Sequence, residues 1–159
     1  MTKILSLEAA GARVREEQLA GRKVVFANGC FDLLHGGHVA YLADARQYGD
    51  WLIVGVNSDQ SERDLKGPTR PVMDEAARLE ILNAIKFIDA LVMFDDLTCE
   101  NLLSVLKPDV HAKGTDYTAD TVPERECARE LGIEVYIAGP PKENASRGII
   151  ATVLDRYGK

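Results

Sequence analysis

Asn28-Gly29-Cys30-Phe31-Asp32-Leu33-Leu34-His35-Gly36-Gly37-His38 is the stretch that decides how this chain folds. It follows an apolar, β-branched run, Lys23–Asn28, and leads into helix-forming sequence, so it reads as the junction between a buried strand and a helix. Such a junction suits an anion. Backbone N–H groups and the positive end of the helix dipole converge there, and glycine lets a phosphate come close to the main chain. His35 and His38 stand three residues apart at the first turn, so two imidazoles can face one phosphate group over a rise of roughly 4–5 Å. The pattern points to phosphoryl or nucleotidyl transfer.

Outward from this junction, short apolar runs at Lys23–Asn28, Trp51–Val56, Ala90–Phe94, Asp109–Lys113 and Ile133–Ala138 alternate with helix-like segments. Alternation of this kind marks βαβ units, and it predicts an α/β fold, a Rossmann-like doubly wound five-stranded parallel sheet with helices on both faces. Residues 1–159 read as a single domain, with 1–22 as an N-terminal helical extension whose helix runs from Leu7 through Leu19. Gly49 and Gly132 sit where C-terminal glycine caps belong, and Asp74 precedes a helix containing Leu79, Leu82 and Ile85. Thr121 with Glu124 predicts a capping box. Gln60 to Met73 is the longest irregular stretch and therefore a candidate mobile loop over the site. Ligands of open parallel sheets bind beyond the carboxyl ends of the strands, where strand order reverses. Asn28 through Cys30, Asn57 through Asp59 and Lys113 through Tyr117 would share that rim. Neither Gly-x-Gly-x-x-Gly after the first strand nor Gly-x-x-x-x-Gly-Lys is present, so dehydrogenase and phosphate-loop ATPase readings lose their main support.

Composition narrows the classes further. With 46% hydrophobic and 28% charged residues the 159-residue chain reads as globular, neither disordered nor membrane-bound. A net charge of −6 argues against a surface for nucleic acid, so phosphate binding must rest on a few placed cations. Cys30, Cys99 and Cys127 are scattered without paired spacing and fit neither a disulfide framework nor a zinc signature. No stretch approaches a membrane-spanning length and the first residues carry no sustained apolar run, so a cytoplasmic location is expected and the Asn144-Ala145-Ser146 sequon reads as accidental.

His35-Gly36-Gly37-His38 behind Gly29-Cys30-Phe31-Asp32 resembles the nucleotidyltransferases marked by a His-x-Gly-His signature. Asn57-Ser58-Asp59, Lys66-Gly67, Arg70-Pro71-Val72, Arg78 and Lys113-Gly114-Thr115-Asp116-Tyr117 fall in order where that family carries related residues. The last segment is most similar to the adenylyltransferases that make ADP-heptose from ATP and D-glycero-β-D-manno-heptose 1-phosphate, and the likeness extends over nearly the whole chain. Cytidylyltransferases acting on glycerol 3-phosphate or a similar small alcohol phosphate stand as the alternative, and a non-catalytic nucleotide-binding module as a third reading.

The resemblance implies roles residue by residue. His38 would contact the α-phosphate, His35 would hold the triphosphate beside it, and Lys66 would close over the phosphates; these three are the catalytic candidates. Asn28, Gly29, Cys30, Phe31, Gly37, Lys113, Gly114, Asp116, Ser146 and Arg147 join the two histidines as candidates for binding the nucleotide. Asp32, Asn57, Asp59, Arg70 and Arg78 are the candidates for binding the acceptor. Magnesium would be held mainly by the nucleotide's phosphates, with no protein metal site. A homodimer is implied, as is a separate sugar kinase supplying the acceptor. Several residues also admit plainer readings. Asp32 can be an architectural acceptor, Asp59 and Asp116 turn residues, Arg78 a partner of Asp74 one helical turn earlier, His111 a satisfied core or rim histidine, and Cys30 a contributor through its backbone. One segment departs from the family pattern. Where a Ser/Thr-rich run opens the last helix in the family, this chain has Ala145-Ser146-Arg147-Gly148, with Ala151 near the usual basic residue. Either Arg147 supplies the missing charge or nucleotide affinity is weakened.

Overall fold

The computed structural model describes residues 2–141 and 145–159, so Asn144 of the sequon lies outside the described residues. Among the described residues six strands form one parallel sheet: β1 (Ile4–Leu5), β2 (Val24–Gly29), β3 (Trp51–Asn57), β4 (Ala90–Phe94), β5 (Val110–Lys113) and β6 (Glu134–Ile137). Their order is β1-β4-β3-β2-β5-β6. From β2 the chain winds one way through β3 and β4, then returns to the other side of β2 for β5 and β6. The strand order therefore reverses between β2 and β5, where an open α/β sheet offers its crevice.

Period-two alternation divides β2 between two cores. Val24 and Phe26 pack on one face with Ala10 and Val14 of α1 (Leu7–Leu19), Leu102, Leu103 and Leu106 of a later helix (Glu100–Leu106), and Ala128 of another (Arg125–Glu130). Val25 and Ala27 face the opposite layer, with Leu42 and Ala45 of α2 (Gly36–Gln47) and Leu82 of a helix spanning Glu75–Ala84. Helices thus cover both faces, as the apolar runs require of a buried parallel sheet. In chain order the helices after α2 are α3 (Asp59–Lys66), α4 (Glu75–Ala84), α5 (Glu100–Leu106), α6 (Arg125–Glu130) and α7 (Ser146–Tyr157).

Four sequence expectations are corrected. The sheet has a sixth strand, because Ile4 and Leu5 pair with Leu91 and Val92 at its edge; two residues are too few to show a period. The N-terminal segment consequently adds a strand to the sheet as well as a helix. Gln60–Met73 is not wholly irregular, since α3 occupies its first half behind a Ser58 cap that accepts the Ser61 N–H at 3.2 Å. The buried face of α3 is Ser61 and Glu62, so no apolar periodicity announced it. Thr121 and Glu124 form no capping box: Thr121 Oγ1 accepts the Thr118 N–H, and Glu124 stands at the start of α6 without a side-chain cap bond. Ile85 lies just beyond the end of α4. Asp74 caps α4 as expected, accepting the Ala77 N–H at 2.8 Å, and Gly132 follows α6 with a left-handed φ of 70°. Gly49 follows Tyr48, the C-cap of α2, where the sequence put it, and it also permits a close approach, for a Cβ there would lie 2.7 Å from the Lys23 carbonyl oxygen.

Candidate active site

Beyond the carboxyl ends of β2, β3 and β5 lies a cleft of about 850 Å³, walled by the start of α2, the end of α3 and the loops after β5 and β6. It brings together twelve of the candidates: Asn28, Gly29, Cys30, Phe31, His35, Gly37, His38, Asn57, Lys66, Lys113, Gly114 and Asp116. Asp32, Asp59, Arg70, Arg78, Ser146 and Arg147 are not part of its wall.

The two histidines are built into the helix start. His35 is the N-cap of α2, and its Nδ1 accepts the Gly37 N–H at 3.1 Å. His38, three residues on, accepts the His35 backbone N–H on its own Nδ1 at 3.2 Å, which completes a reciprocal capping box. The rings stack with centroids 3.9 Å apart, and Phe31 meets His38 edge-on at 5.5 Å. With both Nδ1 atoms accepting backbone protons, the hydrogen-bond network places each ring's own proton on Nε2. The helix cap thereby sets the tautomer of two imidazoles that line the cleft.

The loop before α2 is strained. Phe31 (φ 53°) and Leu33 (φ 52°) both adopt left-handed backbone, costing on the order of 1–3 kcal/mol each. Asp32, between them, offsets that cost. Its carboxylate accepts Arg70 Nε at 2.8 Å and the N–H groups of Val72 and Met73 at 2.8 and 2.9 Å. Burial by itself would raise the Asp32 carboxyl, but these three donors outweigh it and hold the group below the usual carboxylate range. The side chain is 1% exposed, so of its two readings the architectural one describes it. Ser146 joins the same loop by donating its hydroxyl to the Asp32 carbonyl oxygen at 2.6 Å, which fixes the start of α7 beside the motif.

Arg78 is 1% exposed and lies behind the cleft. Its Nη1 donates to the carbonyl oxygens of Cys30 (2.5 Å) and Asn57 (2.8 Å), its Nε to the Met73 carbonyl oxygen (3.1 Å), and its Nη2 to Asp59 Oδ1 (2.8 Å). Glu62 lies 3.4 Å from Nη1. The guanidinium therefore ties the ends of β2 and β3 to α3. Its ion-pair partners are Asp59 and Glu62, where the i,i+4 rule offered Asp74. Glu62 also lies 3.2 Å from Arg70 Nη2 and 3.8 Å from Lys66 Nζ. Burial pushes the Glu62 carboxyl up despite these three cations. Lys66 ends α3 and reaches the cleft; Asn57 points its amide at Ser61 Oγ, 2.9 Å away.

Across the cleft, Lys113 ends β5 with its ammonium 4.7 Å above the Tyr117 ring and 3.6 Å from Glu124 Oε2. Burial alone would raise the Glu124 carboxyl, but the Lys113 ammonium chiefly brings it below its ordinary value. His111 is fully buried on β5 and its Nε2 sits 2.9 Å from Asn28 Oδ1, so it fits the core reading. Burial, with the Lys113 charge adding, depresses its pKa to about 3, and the ring is neutral near pH 7. Cys30 is buried and its thiol is pushed up by that burial, which fits a contribution through its backbone. Tyr41 and Glu124 escaped sequence reasoning. Tyr41 donates its hydroxyl to the Ala112 carbonyl oxygen at 2.7 Å and lines the cleft beside His38. Neither residue belongs to a local motif; only packing between distant elements brings them to the site. Arg147 is exposed in the first turn of α7.

Comparison with known proteins agrees with this geometry. The chain is 43% identical over 157 residues, 99% of its length, to the Bifunctional protein HldE of Geobacter metallireducens. It is 46% identical over 141 residues, 89% of its length, to the protein of that name from Syntrophotalea carbinolica. It spans 32% and 29% of those two proteins, about a third of the length of these curated relatives. Among solved structures, a lipopolysaccharide core biosynthesis protein from Thermoplasma volcanium superposes with a TM-score of 0.64 at 30% identity, covering 76% of this chain and all of that one. A pantoate-beta-alanine ligase from Francisella tularensis shares the fold alone, with a TM-score of 0.66 at 14% identity over 94% of this chain and 73% of its own. The family model described as Cytidylyltransferase-like matches residues 26–146, from the middle of β2 to the first residue of α7, and the chain belongs to that family.

Proposed function

We propose that this cleft transfers the adenylyl group of ATP to the phosphate of D-glycero-β-D-manno-heptose 1-phosphate, giving ADP-heptose and pyrophosphate for cell-surface glycan synthesis. The observation that carries the reading is the pair of stacked histidines whose Nδ1 atoms are both engaged by the α2 backbone, facing Lys66 and the Lys113–Tyr117 segment across one cleft. Likeness to a lipopolysaccharide core biosynthesis protein supports an acceptor of the sugar class.

In this reading an oxygen of the acceptor phosphate attacks the α-phosphorus, a new P–O bond forms, and the bond to the bridging oxygen breaks as pyrophosphate leaves. The acceptor is a phosphate monoester with a second pKa near 6, so it arrives ionised and needs no general base. What the protein supplies is position and charge. His38 donates from Nε2 to the α-phosphate as negative charge shifts, and His35 holds the neighbouring phosphates. Lys66 and Lys113 flank the polyphosphate. Asp32, Asp59, Arg70 and Arg78 act from behind the wall as positioning residues. Ser146 and Arg147 meet the outer phosphates at the start of α7. The one cluster of candidate metal ligands found among the described residues is Cys99, His111 and Glu124, a sulfur-nitrogen-oxygen set foreign to magnesium. Magnesium would be held mainly by the nucleotide's phosphate oxygens, where it would neutralise polyphosphate charge. We further propose a homodimer that works in the cytoplasm on an acceptor made by a sugar kinase. Among the described residues no helix is long and apolar enough to cross a membrane.

A pyrophosphate-release screen of ATP and CTP against heptose 1-phosphate, glycerol 3-phosphate and 4′-phosphopantetheine tests the proposal. Release is expected with ATP and heptose 1-phosphate. Release only with CTP and glycerol 3-phosphate would replace it with the cytidylyltransferase reading, and none with any pair would make the chain a nucleotide-binding module.

A further inference from the structure

Behind the cleft, three side chains that no sequence pattern groups together converge on one buried point. Cys99 stands at the start of α5, His111 in the middle of β5 and Glu124 at the start of α6. One ligand atom from each lies within 4.8 Å of the others, and the residues are 0%, 0% and 4% exposed. We propose that the Cys99 sulfur, the His111 imidazole and the Glu124 carboxylate form a binding site for one borderline-soft divalent cation of the zinc type, distinct from the magnesium that accompanies a nucleotide.

Geometry carries the proposal. Cys99 Sγ and His111 Nε2 are 3.6 Å apart. A tetrahedral zinc bound at about 2.3 Å by sulfur and about 2.0–2.1 Å by nitrogen sets those two ligands about 3.6 Å apart. Little movement of either would be needed. The two helix-start residues also forgo the usual task of their position: neither Cys99 nor Glu124 makes a side-chain cap bond, and both turn inward toward His111. Glu124 Oε2 is buried with no hydrogen-bond partner, and its nearest cation, Lys113 Nζ, stands 3.6 Å away. A buried carboxylate oxygen left in that state is costly, and a cation bond would satisfy it. Softness then selects the ion. A thiolate, an imidazole and a carboxylate together favour zinc or its transition-metal neighbours over magnesium or calcium.

Binding balances simply. The Cys99 thiol loses its proton to solvent as the metal–sulfur bond forms, so one proton is released per cation. Ligation through His111 Nε2 leaves the ring proton on Nδ1 and exchanges the contact with Asn28 for a metal bond. The thiolate and carboxylate together neutralise the dication, leaving the Lys113 ammonium as an excess positive charge beside the cluster. Thr98 and Glu124 also line the cleft, so a water from that side can take the fourth position. Because Asn28 lines the cleft too, metal occupancy would be felt there through its side chain.

Titration of the purified chain with cobalt(II) as the spectroscopic substitute provides the test. The expected result is one equivalent of cobalt, a near-ultraviolet thiolate-to-cobalt charge-transfer band, and full displacement by zinc but not by excess magnesium. Cys99→Ser should abolish the band, while Cys30→Ser and Cys127→Ser should leave it intact. His111→Leu should weaken binding at least tenfold. For zinc-loaded wild-type protein, X-ray absorption should show one sulfur in a nitrogen and oxygen shell, a readout that needs no variant to fold. Absence of saturable cobalt binding, a band that survives Cys99→Ser, or a zinc shell without sulfur would each overturn the proposal.

Discussion

Arg78 is the residue whose replacement separates a structural clamp from a substrate contact. Arg78→Met keeps much of the side-chain volume and removes the charge. Four carbonyl or carboxylate oxygens then lose a donor, and Glu62 loses one of its three cations while remaining fully buried. Breaking a buried ion pair from one side costs about 3–5 kcal/mol, which for a domain of this size lowers the melting temperature by about 6–20 °C. Arg78→Lys should recover only part of that, because a single ammonium cannot reach oxygens on β2, β3 and α3 at once. Urea unfolding followed by circular dichroism gives the energies directly. Adding Glu62→Gln to Arg78→Met should be less damaging than the sum of the single changes, with a coupling of about 0.5–3 kcal/mol, since the stranded carboxylate is then uncharged. Were Arg78→Met to unfold within about 0.5 kcal/mol of wild type while raising only the Michaelis constant for the acceptor, the clamp would be refuted and Arg78 restored as a direct substrate ligand.

The histidine cap yields a second expectation. His38→Gln retains an N3 acceptor for the His35 N–H but lacks the imidazole, so it should keep its melting temperature while turnover falls by about 10²–10³; unchanged turnover would remove His38 from the chemistry. Lys66→Ala should raise the Michaelis constant for ATP by about 10-fold or more, as expected for losing a charged hydrogen bond to phosphate, and isothermal titration with a non-hydrolysable ATP analogue checks it. Arg147 is exposed, so Arg147→Ala should weaken ATP by only about 1.5–5-fold, and Ala151→Lys in that background, one turn further along α7, should restore part of it; wild-type affinity in Arg147→Ala would make the residue a surface charge. Asp32 gives the pH test. Its folded carboxyl lies below its unfolded value of about 3.9, so its contribution is present above that pH and is lost as pH falls through the folded value. The stability gap between wild type and Asp32→Asn should therefore shrink as the pH is lowered below about 4, and a gap constant from pH 7 to pH 3 would contradict the assignment.

The sequence by itself determined the doubly wound sheet and the place of its crevice. Residues 24–27 and 51–56 are buried on both faces of the sheet, and that demand is written in their apolar side chains. The His-x-Gly-His junction was legible for the same reason, since capping, glycine and imidazole chemistry are all local. Beyond local range the reading failed in a consistent way. The edge strand Ile4–Leu5 exists only because β4 offers it a partner, and α3 buries Ser61 and Glu62, which no hydrophobic pattern marks. Asp32 and Arg78 were both legible as special, yet their roles depend on contacts 38 to 41 and 19 to 48 residues away along the chain, respectively. Cys99, His111 and Glu124 form no spacing signature and meet only because α5 and α6 pack together on the face of the sheet to which His111 points. Tertiary structure alone decides which polar groups are buried together, because the cost of burying a charge is set by what surrounds it in space and not by its neighbours in sequence.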